Sequence, residues 1–224
     1  MKIVVVGGHS RNVGKTSVVA CLIRGLAPLN WVAVKISPHH HDAESSPGDT
    51  VSAENAAPAY FLKEELDAAG HRDTSRYLAA GARRAWWLTY QEDHFAEACG
   101  GLLAALHGAE HVIIESNRIL EVVKPSVYLM VLDSSQPDFK ASAEHTIHRA
   151  DALILIGKQW HADTWSMFNS NMLERKPMFP VRALGEASPD LCGFVREKLQ
   201  EPGVDDPFSG LSNLSSAKEQ TWRH

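Results

Sequence analysis

The sequence has few cysteines and lacks any long hydrophobic run. Its three cysteines are an odd number, lie far apart and form no CxxC pair, which argues against a disulfide framework or a structural zinc site and favours a reducing cytoplasm. No apolar stretch approaches the roughly 20 residues of a membrane span. The first apolar run, residues 3–6, is too short for the core of a secretory signal. We therefore expect a cytoplasmic protein with no membrane partner.

An excess of charge of one sign is also lacking. The chain has 22 basic and 27 acidic residues, mixed along its length, and a formal net charge of −5. Proteins that bind nucleic acid through a strong positive field need clustered basic residues, so we expect no nucleic-acid partner. The 224 residues suit one substantial domain. We predict this domain over residues 1–202 and a loose C-terminal tail over 203–224, where periodicity is lost.

Apolar runs of strand length alternate with helical patterns along the chain. Strands are predicted at 3–6, 31–37, 84–90, 111–116, 126–134, 152–158 and 176–184, and helices at 15–26, 59–70, 73–82, 92–108, 139–150 and 188–199. Because the strands are continuous rather than alternating apolar runs, they indicate a sheet covered on both faces. We predict an α/β fold, with a doubly wound, mostly parallel sheet flanked by helices. Prolines place the last strand at an edge.

A turn ending in Gly14-Lys15-Thr16 joins the first strand to the first helix. It matches the phosphate-loop pattern G-x-x-x-x-G-K-[ST] except at the first glycine, where the chain has His9. In such loops, backbone amides and the helix N-terminus hold phosphates, the lysine reaches the β- and γ-phosphates, and the hydroxyl binds Mg²⁺. We therefore predict a P-loop NTPase fold with a nucleotide site here. The predicted nucleotide-binding residues are Ser10, Arg11, Asn12, Val13, Gly14, Lys15, Thr16 and Ser17.

His9 stands where the pattern has a turn-forming glycine. Either this histidine adopts left-handed backbone, which His does more often than most residues, or the loop shifts so that Gly8 makes the turn. Neither solution removes an amide donor, the lysine or the hydroxyl. We expect a nucleotide site with one altered corner; the alternative is an ordinary turn in which Gly-Lys-Thr merely opens the helix.

A magnesium ion in this loop needs a carboxylate near Thr16, directly or through water. Glu115 and Asp133 end apolar strands, and Asp73 begins a predicted helix. Ligands of parallel sheets lie at the carboxyl ends of the strands, so Thr16 and Glu115 are the predicted magnesium ligands. Asp133 also fits an ordinary strand-terminal acid, and Asp73 also fits a helix cap.

Lys35, His39, His40 and Asp73 are further candidates for contact with a ligand. Lys35 ends the second strand and fits either a phosphate contact or a surface lysine. Imidazole suits Zn or Ni, but successive residues of an extended chain point to opposite sides, so at most two of His39–His41 could share an ion. An anion-contacting loop and a solvated loop are the alternatives for this segment, which belongs to a long irregular connection at about 38–58.

Three further segments carry a family resemblance. They are VAVKISPHHHD (32–42), DTSRYLAAGARRAWWL (73–88) and HVIIESN (111–117). With the loop, they resemble the protein-B family of molybdopterin-guanine dinucleotide biosynthesis over about residues 2–160. The chain departs from that family at His9, at Ser116 in place of glycine, and in a longer connection at 43–70. The resemblance implies GTP as the nucleotide beside the Mg²⁺ already predicted, a homodimer, and assistance to a partner enzyme that guanylylates the molybdenum cofactor. Any GTP hydrolysis is expected to be slow, because the sequence identifies no water-positioning residue or arginine finger.

The residues alone leave the base and the reaction open. Guanine-specific P-loop proteins commonly carry Asn-Lys-x-Asp after a late strand, and this chain has LILIGKQW there, so ATP stays an alternative to GTP. A metallochaperone GTPase using the His-rich loop is a second interpretation. An ATP-dependent kinase or ligase of small molecules is a third, and a nucleotide-sensing adaptor without hydrolysis is a fourth.

Overall fold

The fold is described from a computed structural model that covers residues 1–38, 58–136, 138–157, 175–181, 188–202 and 206–211. Within these ranges, eight strands form one sheet. The strands are β1 (Lys2–Gly8), β2 (Val32–Pro38), β3 (Tyr60–Glu65), β4 (Arg84–Tyr90), β5 (His111–Glu115), β6 (Val127–Asp133), β7 (Ala152–Ile156) and β8 (Met178–Val181). Their spatial order is β3-β4-β2-β5-β1-β6-β7-β8. The strand that precedes the Gly-Lys-Thr turn therefore lies inside the sheet.

Parallel pairing dominates this sheet. Every neighbouring pair is parallel except β3 with β4, which is antiparallel. β8 lies at one edge, as its prolines predict, and β3 lies at the other. The arrangement confirms the predicted doubly wound, mostly parallel α/β fold. It also collects the carboxyl ends of β1, β2, β4 and β5 along one side of the sheet.

Helices cover both faces of the sheet. They are α1 (Lys15–Gly25), α2 (Asp73–Ala79), α3 (Phe95–Ala105), α4 (Ala141–Glu144) and α5 (Pro189–Gln200). Alternate residues of β1 point to opposite faces: Val4 and Val6 join the core under α1, α2 and α5, whereas Ile3 and Val5 join the core under α3 and α4. Burial on both faces explains why the strand is a continuous apolar run. No helix in the described ranges is long and apolar enough to cross a bilayer.

The predicted helix at 59–70 is wrong, because the chain forms strand β3 at Tyr60–Glu65 instead. Tyr60 and Leu62 pack against the core, and Phe61 between them is half-exposed. A half-buried strand normally alternates apolar and polar residues, but here Phe61 stands at the position where a polar residue is expected. The sequence therefore shows no alternation, and the pairing with β4 is what makes this segment a strand.

The predicted helix at 139–150 is shorter than expected. Only Ala141–Glu144 is α-helical, and Ile147–Arg149 forms a separate 3-10 turn. Between them the Thr146 hydroxyl donates to the carbonyl of Ser142 at 2.9 Å. Such side-chain bonds compete with the helical backbone pattern, which is consistent with the interruption.

The other predicted helices form with small shifts at their ends. Residues Glu92–His94 are a 3-10 turn that leads into α3. Ser188 caps α5 by accepting a hydrogen bond from the Leu191 amide at 3.2 Å, as predicted. Of the predicted loose tail, the described residues 206–211 are packed: Phe208 is buried, and the Lys124 amide donates to the Pro207 carbonyl at 2.8 Å.

Candidate functional site

The connection from β1 to α1 forms a tight loop at the centre of the sheet. Its sharp bends are at Asn12, with φ 57°, and at Gly14, with φ 89°. Gly14 is also the N-cap of α1, where it makes no side-chain capping hydrogen bond. The first turn of α1 carries no acidic residue, so the positive end of the helix dipole is not offset locally. A loop of this kind presents backbone N–H groups to an anion.

The turn is not made at His9 or at Gly8, the two positions that the sequence offered. Neither His9 nor Gly8 has positive φ, and the turn is made at Asn12 and Gly14. The imidazole is fully buried, with Nε2 3.1 Å from the carbonyl of Gln136 and Nδ1 3.4 Å from that of Val131. Burial lowers the pKa of His9, more than these carbonyls raise it. The ring thus joins the loop to the segment after β6.

Gly8 is the residue against which the loop closes. A Cβ at this position would lie 2.7 Å from Cγ2 of Val13 and 2.8 Å from Cδ of Lys15. The side chain of Asn117 holds Gly8 on its other side: Oδ1 accepts from the Gly8 amide and Nδ2 donates to the Gly8 carbonyl, both at 2.9 Å. Sequence reasoning missed Asn117. Its place just after the carboxyl end of β5 was the available signal.

Lys15 lies over the loop with its ammonium donating to the Ser10 carbonyl at 2.9 Å. The pKa of Lys15 is lowered to about 8, chiefly by burial; the charge of Glu115 opposes this shift and the nearby ammonium of Lys35 adds to it. The Lys15 ammonium is therefore less well solvated in the loop than it would be in water. Phosphate oxygens arriving at the loop would supply the missing counter-charge.

The acidic side of the site centres on Glu115, which is 2% exposed. Its Oε2 accepts hydrogen bonds from the Thr16 hydroxyl at 2.8 Å and from the Tyr77 hydroxyl. Its Oε1 accepts from the Lys35 ammonium, which also pairs with Oδ2 of Asp73 at 2.8 Å. The structure therefore brings together Thr16, Glu115, Lys35 and Asp73, all four of which were sequence candidates. Tyr77 was missed because its spacing marks it as a core residue.

Asp73, Lys35 and Tyr77 have shifted pKa values in this cluster. Burial raises the pKa of Asp73, but the hydrogen bond and charge of Lys35 outweigh it and hold the pKa below its ordinary value. Burial lowers the pKa of Lys35, but Glu115 and Asp73 outweigh it and raise the pKa. Burial, reinforced by the charge of Glu115, raises the pKa of Tyr77 well above its usual range. The carboxylate of Asp73 is therefore ionised, the amine of Lys35 protonated and the phenol of Tyr77 neutral at pH 7.

The remaining predicted residues fall on the rim or outside the site. The Ser17 hydroxyl accepts a hydrogen bond from Arg76 at 2.9 Å, while Val13 is buried beneath the loop. Asp133 is occupied by the Ser135 amide and hydroxyl at 3.0 and 2.7 Å, which fits its ordinary structural reading. The candidates His39 and His40 lie outside the described residues.

A cleft of about 810 Å³ runs from the loop across the carboxyl ends of β5, β2 and β4. Its lining includes Gly8, Ser10, Arg11, Asn12, Gly14, Lys15, Thr16, Ser17, Lys35, Asp73, Arg76, Glu115, Asn117, Arg118 and Lys140. Such a volume is in the usual range for small-molecule sites. In the part of the chain that is described, no group of three or more His, Cys, Asp or Glu side chains is placed to hold a metal. A metal ion here would need the Thr16 hydroxyl and oxygens of a ligand as well as the carboxylates.

Comparison with known proteins gives structural likenesses only. No protein-family model and no curated protein matches the chain. HypB from Helicobacter pylori, solved in complex with nickel, is 18% identical over 88% of this chain and 87% of its own, with a TM-score of 0.47. LpxK from Aquifex aeolicus, solved with ATP, is 19% identical over 80% and 53%, with a TM-score of 0.45.

The MinC:MinD cell division protein complex of Aquifex aeolicus is a third similar structure. It is 10% identical over 100% of this chain and 97% of its own, with a TM-score of 0.42. At these identities and TM-scores, the three structures do not decide which ligand or activity this chain has. Its function has to be argued from its own site.

Proposed function

We propose that this protein binds a magnesium–nucleoside triphosphate in the loop of residues 9–17. One observation carries the proposal: the Thr16 hydroxyl, at the start of α1, lies 2.8 Å from the buried carboxylate of Glu115, beside the Lys15 ammonium. A lysine, a hydroxyl and a carboxylate at a helix N-terminus are the protein groups that a bound Mg²⁺–polyphosphate requires. An ordinary turn that merely opens a helix needs none of these groups buried together.

The oxygen atoms of Thr16, Glu115 and Asp73 would hold the magnesium, directly or through water. Mg²⁺ prefers hard oxygen ligands and is usually bound through one or two carboxylates together with substrate phosphates, so this donor set fits it. The ion would neutralise charge on the β- and γ-phosphates. The backbone amides of the loop and the Lys15 ammonium orient the same phosphates.

We further propose that the nucleotide is GTP and that the protein, as a homodimer, assists a partner enzyme in guanylylating the molybdenum cofactor. The resemblance of residues 2–160 to the protein-B family supports this part. We expect turnover by the protein alone to be slow, because the sequence identifies no arginine finger. An arginine that stabilises the transferring phosphoryl group is worth about 10³–10⁵ in rate. Of the arginines that line the described cleft, Arg118 is paired with Glu92, Arg76 bonds to Ser17, and Arg11 belongs to the loop itself.

The ligand panel that tests the proposal is GTP, GDP, ATP and ADP, each with Mg²⁺, measured by thermal shift and by calorimetric titration. A ligand at 100 times its Kd stabilises the folded state by about 2.7 kcal/mol, roughly a 5–10 °C rise in Tm for a domain of this size. We expect the largest rise with GTP. A rise with ATP alone would remove the GTP and molybdenum part, and no response to any nucleotide would remove the whole proposal.

Nucleotide affinity is expected to fall as the pH rises above 8. In the free protein the pKa of Lys15 is about 8, and bound phosphates raise it again, so binding takes up a proton above that pH. By linkage, affinity is full below pH 8 and drops by up to about tenfold per pH unit above it. Titrations in buffers of different ionisation enthalpy measure the proton uptake.

The matched control for this pH dependence is Lys15→Arg. Guanidinium stays charged throughout the range, so whatever affinity the variant retains is expected to stay constant between pH 7 and 9.5. An equal decline in the variant and the wild type would assign the pH dependence to a different group.

A further inference from the structure

The Lys35 ammonium lies between two carboxylates that belong to different elements. Lys35 pairs in register with Glu115 across β2 and β5, and its Nζ contacts Oε1 of that residue. The same Nζ lies 2.8 Å from Oδ2 of Asp73 at the start of α2. Lys35 is largely buried, with 20% of its side chain exposed. The Lys35 ammonium thus links strand β5 to helix α2 through its contacts with Glu115 and Asp73.

The atoms around this ammonium are those that the proposed function assigns to magnesium. Glu115 bonds to the Thr16 hydroxyl through Oε2 and to Lys35 through Oε1, and Asp73 contacts the same Lys35 ammonium. Lys35 and a divalent ion would therefore draw on the same oxygens. An ionised carboxylate is costly to bury unpaired, so a nearby cation stabilises it.

We propose that Lys35 is an exchangeable internal cation of the metal site. It neutralises Glu115 and Asp73 whenever no divalent ion is bound, and it yields their oxygens to the magnesium that arrives with the nucleotide. This inference rests on the proposed function and adds a positioning residue to it.

The exchange makes Lys35 a competitor of divalent ions, which a metal titration without nucleotide can measure. Mn²⁺ serves as a paramagnetic probe, because it takes the same carboxylate and water ligands as Mg²⁺. Wild-type protein is expected to bind Mn²⁺ weakly. Lys35→Met keeps the length of the side chain and removes its charge, so we expect at least tenfold tighter, one-to-one Mn²⁺ binding. Unchanged Mn²⁺ affinity in a folded Lys35→Met protein would overturn the inference.

Lys140→Met is the matched control, since it removes the same charge from the rim of the same cleft. Its Mn²⁺ affinity is expected to rise less than threefold, by the general change in potential. An equal gain in both variants would overturn the inference, because it would come from net charge rather than from release of Glu115 and Asp73. Circular dichroism establishes that each variant is folded.

Asp73→Asn provides a second test should Lys35→Met fail to fold. Asp73 is partly exposed and Lys35 keeps Glu115 as a partner, so this variant is expected to fold. We expect the Mg²⁺ concentration needed for half-maximal nucleotide binding to rise about tenfold. An unchanged Mg²⁺ requirement would overturn the exchange. Nucleotide binding by the wild type is read separately: its absence removes the proposed function, whereas its presence with unchanged Mn²⁺ and Mg²⁺ behaviour removes only this inference.

Discussion

Lys15→Ala is expected to weaken Mg²⁺–nucleotide binding at least 100-fold and to change the free energy of unfolding by less than about 1 kcal/mol. The lost contact is a charge-assisted bond to phosphate in a partly dry site, where such bonds are strongest. The stability change is small because the ammonium makes one backbone hydrogen bond, to Ser10, and burial works against its charge. Calorimetric titration gives the affinity and urea unfolding gives the stability.

Lys63→Ala is the control for this experiment, because Lys63 lies on the edge strand β3 and not in the lining of the cleft. Its affinity and stability are both expected to stay near wild type. Wild-type affinity in Lys15→Ala would contradict the proposal that the loop holds a polyphosphate. A loss of several kcal/mol of stability would instead show that Lys15 supports the fold.

Gly7→Ala is expected to lower the free energy of unfolding by about 3 kcal/mol and to weaken nucleotide binding with it. A Cβ at Gly7 would overlap Oδ1 of Asn117 and lie 2.8 Å from the Tyr128 hydroxyl. Overpacking of a core costs about 1–3 kcal/mol. Displacing Asn117 also breaks its two bonds to Gly8, and an unsatisfied buried polar group costs a further 1–3 kcal/mol or so. Thermal and urea unfolding measure the loss.

Gly100→Ala is the matched control, because a Cβ there meets nothing within 4 Å. It lies inside α3, where alanine is favoured over glycine by about 0.8–1.0 kcal/mol, so this variant is expected to be slightly more stable than the wild type. The double variant Gly7→Ala/Asn117→Ala separates the steric overlap with Asn117 from the loss of the hydrogen bonds between Asn117 and Gly8. The double variant is expected to cost less than the sum of the two single changes, and strict additivity would contradict the overlap.

Local sequence patterns were sufficient to predict the central strands of the sheet and the loop. The strands β1, β5, β6 and β7 are buried on both faces, so each of them reads as an apolar run, whereas the edge strand β3 does not. The loop lies within one short strand–turn–helix segment. The placement of Glu115 beside Thr16 was also predictable, because parallel strands present their carboxyl ends at one side. Lys35 follows from the same rule, because it lies on the neighbouring parallel strand β2.

The rest depends on contacts between distant residues, which single-sequence patterns do not contain. His9 finds its partners at 131 and 136, across β6, and Asn117 reaches back to Gly8. Tyr77 donates a hydrogen bond to Glu115 from a position that helical spacing identifies only as core. The strand β3 was mistaken for a helix because Phe61 faces outward. The roles of His39 and His40 stay predictions.

The imidazole of His9 has a mechanical consequence for the whole mouth of the cleft. A glycine at this corner would leave the turn attached to its neighbours through backbone alone, and it could reshape by itself. The ring lies between the chain on either side of Asp133, and its centroid is 5.2 Å from that of Phe139 at an interplanar angle of 41°. The Lys140 amide also donates to the His9 carbonyl at 2.9 Å. A change in the position of this corner would therefore have to be accommodated beyond β6 as well as in the loop itself.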